Sequence, residues 1–180
     1  SRYEEDIYYS DSTVFDVFTY KLVNGDPAKV LSRPNSLVVT RSLARKYFGS
    51  EDPMGKILVD GTGRNFEVTG LMEDVPNNSH LSFSGLVSRT TLPPDDELGS
   101  WGNFGVFTYL LLNEGTDYLN FQEKLEELNN KYVATIFEQY GIRVKYLLQP
   151  LTYIYLRSDT QGEERGSGDI QYVYIFSIVA

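Results

Sequence analysis

Ser36-Leu-Val-Val-Thr-Arg-Ser-Leu-Ala-Arg-Lys-Tyr-Phe-Gly49 changes its hydrophobic period half-way along. The run Ser36–Val39 suits a short strand, because branched side chains pack well on a pleated surface. From Leu43 onward the apolar residues fall at helical spacing, with Leu43, Ala44, Tyr47 and Phe48 on one face. Thr40 stands where an N-cap belongs, and Gly49 stands where a helix ends. A strand that runs directly into a capped helix makes a compact strand–helix unit, around which further strands are expected.

Working outward, Asp6–Tyr9 reads as a strand, and Asp11, Ser12 and Thr13 can cap a short helical turn carrying Val14, Phe15, Val17 and Phe18. Gly25-Asp26-Pro27 is a turn. Lys56–Val59 and Phe66–Glu73 read as two strands of a hairpin across the Gly-rich, polar segment Asp60–Asn65. After a turn at Pro76–Ser79, Leu81 and Phe83 alternate with serines in a half-buried strand heading for Val87. This part of the chain is expected to be mostly antiparallel sheet with one helix.

Around Trp101 the composition shifts to Thr, Pro, Asp, Gly and Ser, with Pro93-Pro94-Asp95-Asp96-Glu97 at its centre, which marks a lobe boundary. Beyond it, Val106–Leu112 and Val144–Gln149 read as strands. Between them Phe121, Leu125, Leu128 and Tyr132 mark an amphipathic helix. Such a β-α-β unit normally pairs its strands in parallel and needs further strands from elsewhere. The expected fold is therefore α+β with two lobes. Residues 1–90 form a β-rich lobe, 91–104 a linker, 105–160 a β-α-β lobe and 161–171 a second linker. The apolar stretch 172–180 looks like the first turns of a longer helix; a core element is the alternative reading.

Composition closes off several functions. The chain of 180 residues carries a net charge of −9, so nucleic acid is not an expected partner. Its densest cationic stretch, Arg41, Arg45 and Lys46, has the spacing of a solvated helix face. There is no Cys, which removes thiolate metal sites, a Cys nucleophile and disulfides. Aromatic residues make up 14%, far above the profile of a disordered chain, and they favour sheet.

Residue patterns that could carry chemistry fail on detail. Gly49–Lys56 resembles a phosphate loop, but five residues separate its glycines where four are needed. Ile57 replaces the Ser/Thr that holds Mg²⁺, and Glu51 and Asp52 would face the phosphates. A helix C-cap followed by a turn fits better. His80 is the only histidine, and its neighbour Ser79 is badly placed to partner it, so Asn77-Asn78-Ser79-His80 reads as a turn bonding its own backbone. The acidic pairs around Asp95–Glu97 and Glu163-Glu164 lack the ligand alternation of a calcium loop. No catalytic, cofactor-binding or metal-binding residue is expected, and no enzyme activity.

Taken in order, Asp11-Ser-Thr-Val-Phe-Asp-Val-Phe18, Gly25-Asp-Pro27, the Ser36–Gly49 segment, Asp52-Pro-Met-Gly-Lys56, Phe66-Glu-Val-Thr-Gly-Leu-Met-Glu-Asp-Val-Pro76 and Asn78-Ser-His80 form a specific series. Gln149-Pro-Leu-Thr152, Ile154-Tyr-Leu156 and Tyr174-Ile-Phe-Ser-Ile-Val-Ala180 extend it. The series resembles the MacB-like periplasmic core domain of FtsX-type ABC-transporter permeases, in the variety common in Bacteroidetes. Met54, Leu71 and Tyr153 depart from the usual residues of that family.

The resemblance implies a periplasmic domain of a bacterial inner-membrane permease, with a β-rich lobe and a porter-like lobe. The first half of the porter-like lobe would lie before Ser1, and 172–180 would begin a transmembrane helix. It also implies a cytoplasmic ABC ATPase as partner, a periplasmic adaptor or membrane-fusion protein as another, and a homodimer or pseudo-dimer in the full transporter. The domain would transmit ATP-driven movement, with no cofactor. The alternative is a binding module that holds an exported lipid, peptide or antibiotic.

Overall fold

The computed structural model describes residues 5–93, 106–152 and 154. The chain divides into two compact units, Ser1–Pro94 and Asp95–Ala180. The class is α+β.

The first unit is built on β3 (Ser36–Thr40), in which all five residues are buried. Such a strand needs neighbours on both edges and cover on both faces. Its edges are taken by β5 (Asn65–Met72), which runs parallel to it, and β6 (Gly85–Ser88), which runs antiparallel. Outside β6 lies β1 (Ile7–Ser10), again parallel. The far edge of β5 is shared by β2 (Leu22–Asn24) and β4 (Ile57–Val59), both antiparallel. The order is β1-β6-β3-β5-β2, with β4 also on β5.

The sheet is thus mixed rather than mostly antiparallel. A parallel neighbour needs a crossover, and α2 (Arg41–Phe48) supplies it between β3 and β5. The expected strand–helix unit is present with its cap: the Thr40 hydroxyl accepts from Leu43 N at 3.3 Å. Gly49 ends the helix at φ +64°. The short helix α1 (Val14–Val17) follows β1 as expected, but Thr13 makes no side-chain cap bond there.

A bulge decides which residues face α2. The β3–β5 register slips between Leu37 and Val38, so that Leu37 lies beside Val68 and Val38 beside Gly70. Thr69 is left over, and its hydroxyl donates to Val30 O at 2.6 Å, with Leu37 O at 3.3 Å. After the slip, Leu71 lies beside Val39 and joins the α2 face. There Leu37, Val39, Leu43, Ala44, Phe66, Val68 and Val87 form one buried cluster. The opposite face is covered by the segment carrying Val30 and Leu31, both buried and tied down by Ser88 Oγ donating to Leu31 O at 2.7 Å.

One sequence reading in this unit changes, and one strand was not read. Leu81 and Phe83 are buried but lie outside any strand; the strand begins at Gly85. Strand β2 has three residues, too few for a period-2 signal to show in the sequence.

In the second unit, α3 (Tyr118–Tyr132) is capped by Asp117, whose carboxylate accepts from Leu119 N at 2.9 Å, and is followed by α4 (Ala134–Glu138). The helix is where its periodicity places it, with Phe121, Leu125 and Leu128 half-buried. The expected flanking strands Val106–Leu112 and Val144–Gln149 make no ladder among the described residues. An extended segment becomes a strand only when a neighbour takes its backbone groups. Here side chains of α3 take some of them. Gln122 donates to Tyr146 O (2.7 Å) and accepts from Leu148 N (2.6 Å), and Asn129 donates to Val144 O (2.8 Å). Val144, Tyr146 and Leu148 still alternate with exposed Lys145, Leu147 and Gln149, the period that suggested a strand.

Among the described residues no helix is long and apolar enough to cross a membrane. The 161–171 linker and the 172–180 segment lie outside the described residues, as does most of the 91–104 linker.

Gly85 sits where three strands meet. A Cβ there would lie 2.9 Å from both Val38 O and Ile7 Cδ1, whereas one on Gly61 would meet nothing within 4 Å. Gly85→Ala should therefore destabilise the protein by about 1–3 kcal/mol in a urea titration, with Gly61→Ala within about 0.5 kcal/mol of wild type. Equal stability of the two variants would contradict the packing of β6 between β1 and β3.

Candidate functional site

The parallel register of β3 and β5 brings chemistry-bearing side chains together at one end of the sheet. Thr40 lies beside Met72, so the chain leaving β5 runs past the first turn of α2. Arg41 Nε donates to Glu73 Oε2 at 2.7 Å. Ser42 N and Ser42 Oγ donate to the two oxygens of Asp74 at 2.9 and 2.8 Å. A carboxylate receiving amide hydrogens at a helix start is favoured by both the unpaired donors and the helix dipole. Partial burial pushes the Asp74 pKa up, but bonds from Ser42 and Thr40 and the Arg41 charge outweigh it, so Asp74 titrates below the usual carboxylate range. Glu73 is lowered as well, chiefly by its bond from Arg41. This is a structural clamp between β5 and α2. Sequence reading missed it, because the parallel pairing that creates it was not foreseen.

The phosphate-loop lookalike is a turn. After Gly49, Met54 N donates to Asp52 Oδ1 at 3.1 Å, and Gly55 N reaches across to Val68 O at 2.8 Å. The Lys56 ammonium is bonded to Glu51 and lies 5.1 Å from the centre of the Phe48 ring. Its charge is committed within the turn.

His80 lies in an aromatic cluster. Its ring centre is 6.1 Å from that of Phe18, which stacks on Tyr20 at 5.3 Å; Tyr20 meets Phe83 edge-on at 5.3 Å, and Phe83 lies 6.0 Å from Tyr8. Burial raises the Tyr20 pKa, partly offset by a hydrogen bond with Ser79. Ser79 and His80 thus fasten the loop before β6 to the segment between α1 and β2. Asp95–Glu97 and Glu163-Glu164 lie outside the described residues. Among the described residues no three His, Asp or Glu side chains gather to hold a metal.

Residues 1–128 match the model of the MacB-like periplasmic core domain. The chain belongs to that family. No curated protein matches it.

Among solved structures, this MacB-like domain is similar to a domain described as that of a permease protein from Porphyromonas gingivalis. The identity is 25% and the TM-score 0.56, over 69% of this chain and 58% of that one. The periplasmic region of MacB from Actinobacillus actinomycetemcomitans aligns at 17% identity and TM-score 0.45, over 74% of this chain and 64% of that one. The extracellular domain of the ABC-type transporter YknZ from Gram-positive bacteria aligns at 21% and 0.49, over 83% and 74%. The chain spans less than two thirds of the length of the first two.

Because Asp74 titrates lower in the folded state than in the unfolded chain, its contribution is complete above the unfolded value of about 4 and is lost as pH falls through the folded value. Asp74→Asn should cost about 0.3–1 kcal/mol at pH 7, the order of a negative charge lost at a helix start. Thermal melts should show the gap between variant and wild type closing in acid. A gap that is the same at pH 7 and in acid would remove Asp74 as the charged cap of α2.

Proposed function

We propose that this chain is the extracytoplasmic part of an ABC-transporter permease in a bacterial inner membrane, and that it carries movement rather than chemistry. In this reading a cytoplasmic ATPase drives the permease, which works as one of a pair. The domain passes the displacement to a periplasmic adaptor or to the exported substrate. The observation that carries the reading is membership of the MacB-like periplasmic core domain family over residues 1–128. The commitments of individual side chains support it. Lys56 is bonded within its turn, His80 is packed among aromatics, and Asp74 caps a helix. A body whose polar groups are spent on its own rigidity is suited to moving as a unit, and no cofactor enters this account.

Spin labels at the exposed positions Arg33 and Glu126, one in each unit, test this in the full-length permease reconstituted with its ATPase. Trapping ATP should shift the inter-label distances by several ångströms with no substrate added. If only an exported lipid, peptide or antibiotic shifts them, and ATP does not, the chain is a binding module instead.

A further inference from the structure

We infer that Asn24 is a modification site: in the folded protein the backbone nitrogen of Gly25 attacks its side-chain amide, and the residue converts to isoaspartate. Of the fifteen glycines, Gly25 alone follows an Asn. Having no side chain, a glycine leaves its nitrogen open to the carboxamide behind it. In the attack the bond from Gly25 N to Asn24 Cγ forms and the bond from Cγ to Nδ2 breaks. The proton of Gly25 N leaves with Nδ2 as ammonia, and a cyclic imide remains. Water then opens one of its two carbonyls. One product is aspartate; the other is isoaspartate, in which the main chain runs through the side-chain methylene.

The neighbourhood favours the step. Asn24 and Gly25 are both exposed. Asn24 is the last residue of β2, which has three residues, and a bulge between Leu22 and Asn24 interrupts the pairing with β5. A strand end held so thinly opens locally at small cost, and the opened end lets the Asn24 carboxamide swing onto the next nitrogen. Among the described residues no backbone carbonyl accepts from Gly25 N. The far side of Gly25 is fixed, because Asp26 O accepts from Lys29 N at 2.8 Å and from Val30 N at 2.9 Å, and Asp26 Oδ1 accepts from Ala28 N at 3.0 Å.

Two comparable pairs are closed to the same chemistry. Asn78 is exposed and precedes Ser79, but Ser79 N is committed to Pro76 O at 2.9 Å. Asp60 precedes Gly61, and its Oδ1 accepts from Thr62 N, Thr62 Oγ1 and Arg64 N. These bonds, the one from the Thr62 hydroxyl first, keep that carboxyl ionised, whereas the ring closes on the protonated acid.

The consequence lies in the packing. Even a Cβ on Gly25 would stand 2.6 Å from Val30 Cγ1 and 3.0 Å from Thr69 O. A main chain lengthened by a methylene has no room there, so isoaspartate pushes the segment carrying Val30 away from β5. The inference stands apart from the transport reading, and its failure would leave that reading intact.

The test ages the whole chain in mildly alkaline buffer, folded and in urea, and maps isoaspartate in its peptides by mass spectrometry. The folded sample should carry about tenfold more isoaspartate at position 24 than at 60 or 78. Asn24→Gln, whose longer side chain closes a larger ring slowly, should carry none at 24. The isoaspartate form, once separated, should melt below fresh protein. Asn24→Asp, with the same added charge and no added methylene, should melt with fresh protein. Modification at 24 only in urea, or equal modification at the three positions, would overturn the inference. So would an isoaspartate form that melts like Asn24→Asp.

Discussion

The parallel pairing of β3 with β5 is the constraint on which the first unit depends. Because it is parallel, the chain between the two strands has to cross over, and α2 is that crossover. Because its register ends with Thr40 beside Met72, Glu73 and Asp74 arrive at the start of α2 and bond Arg41 and Ser42. The bulge at Thr69 follows from the same pairing: it turns Leu71 towards α2 and leaves Gly70 under Val30 and Val38, where any side chain would crowd. Strand, helix, cap and bulge form one mechanical block.

That block accounts for the polar residues that might have been mistaken for a site. Lys56 after two glycines, a lone histidine beside a serine, and adjacent carboxylates after a strand are patterns that chemistry uses. Here each bonds or packs against a neighbour that the fold itself supplies: Glu51 for Lys56, the Phe18 ring for His80, the Ser42 amide and hydroxyl for Asp74.

Local signals in the sequence were readable because local physics produces them. Ser36–Gly49 shows its strand, cap, helix and stop within fourteen residues, and all four are present. The Asp60–Asn65 hairpin was legible for the same reason: a short polar loop holds its own strands in register. What depends on distant partners was not legible. Val144–Gln149 has the alternation of a strand, but Gln122 and Asn129 bond its backbone in place of a ladder. The direction of β5 against β3 is set by a crossover that antiparallel hairpin reasoning cannot see. The Asp74 clamp was hidden because it depends on that direction.

The central claim is that the block moves as a body when the transporter cycles. Hydrogen exchange on the full-length permease with its ATPase, nucleotide-free and ATP-trapped, tests it most directly. The account predicts unchanged protection of the amides of Leu37–Phe48 and Phe66–Met72 between the two states. Changed protection within β3, α2 and β5 themselves would show that the block remodels rather than moves, and would contradict the account.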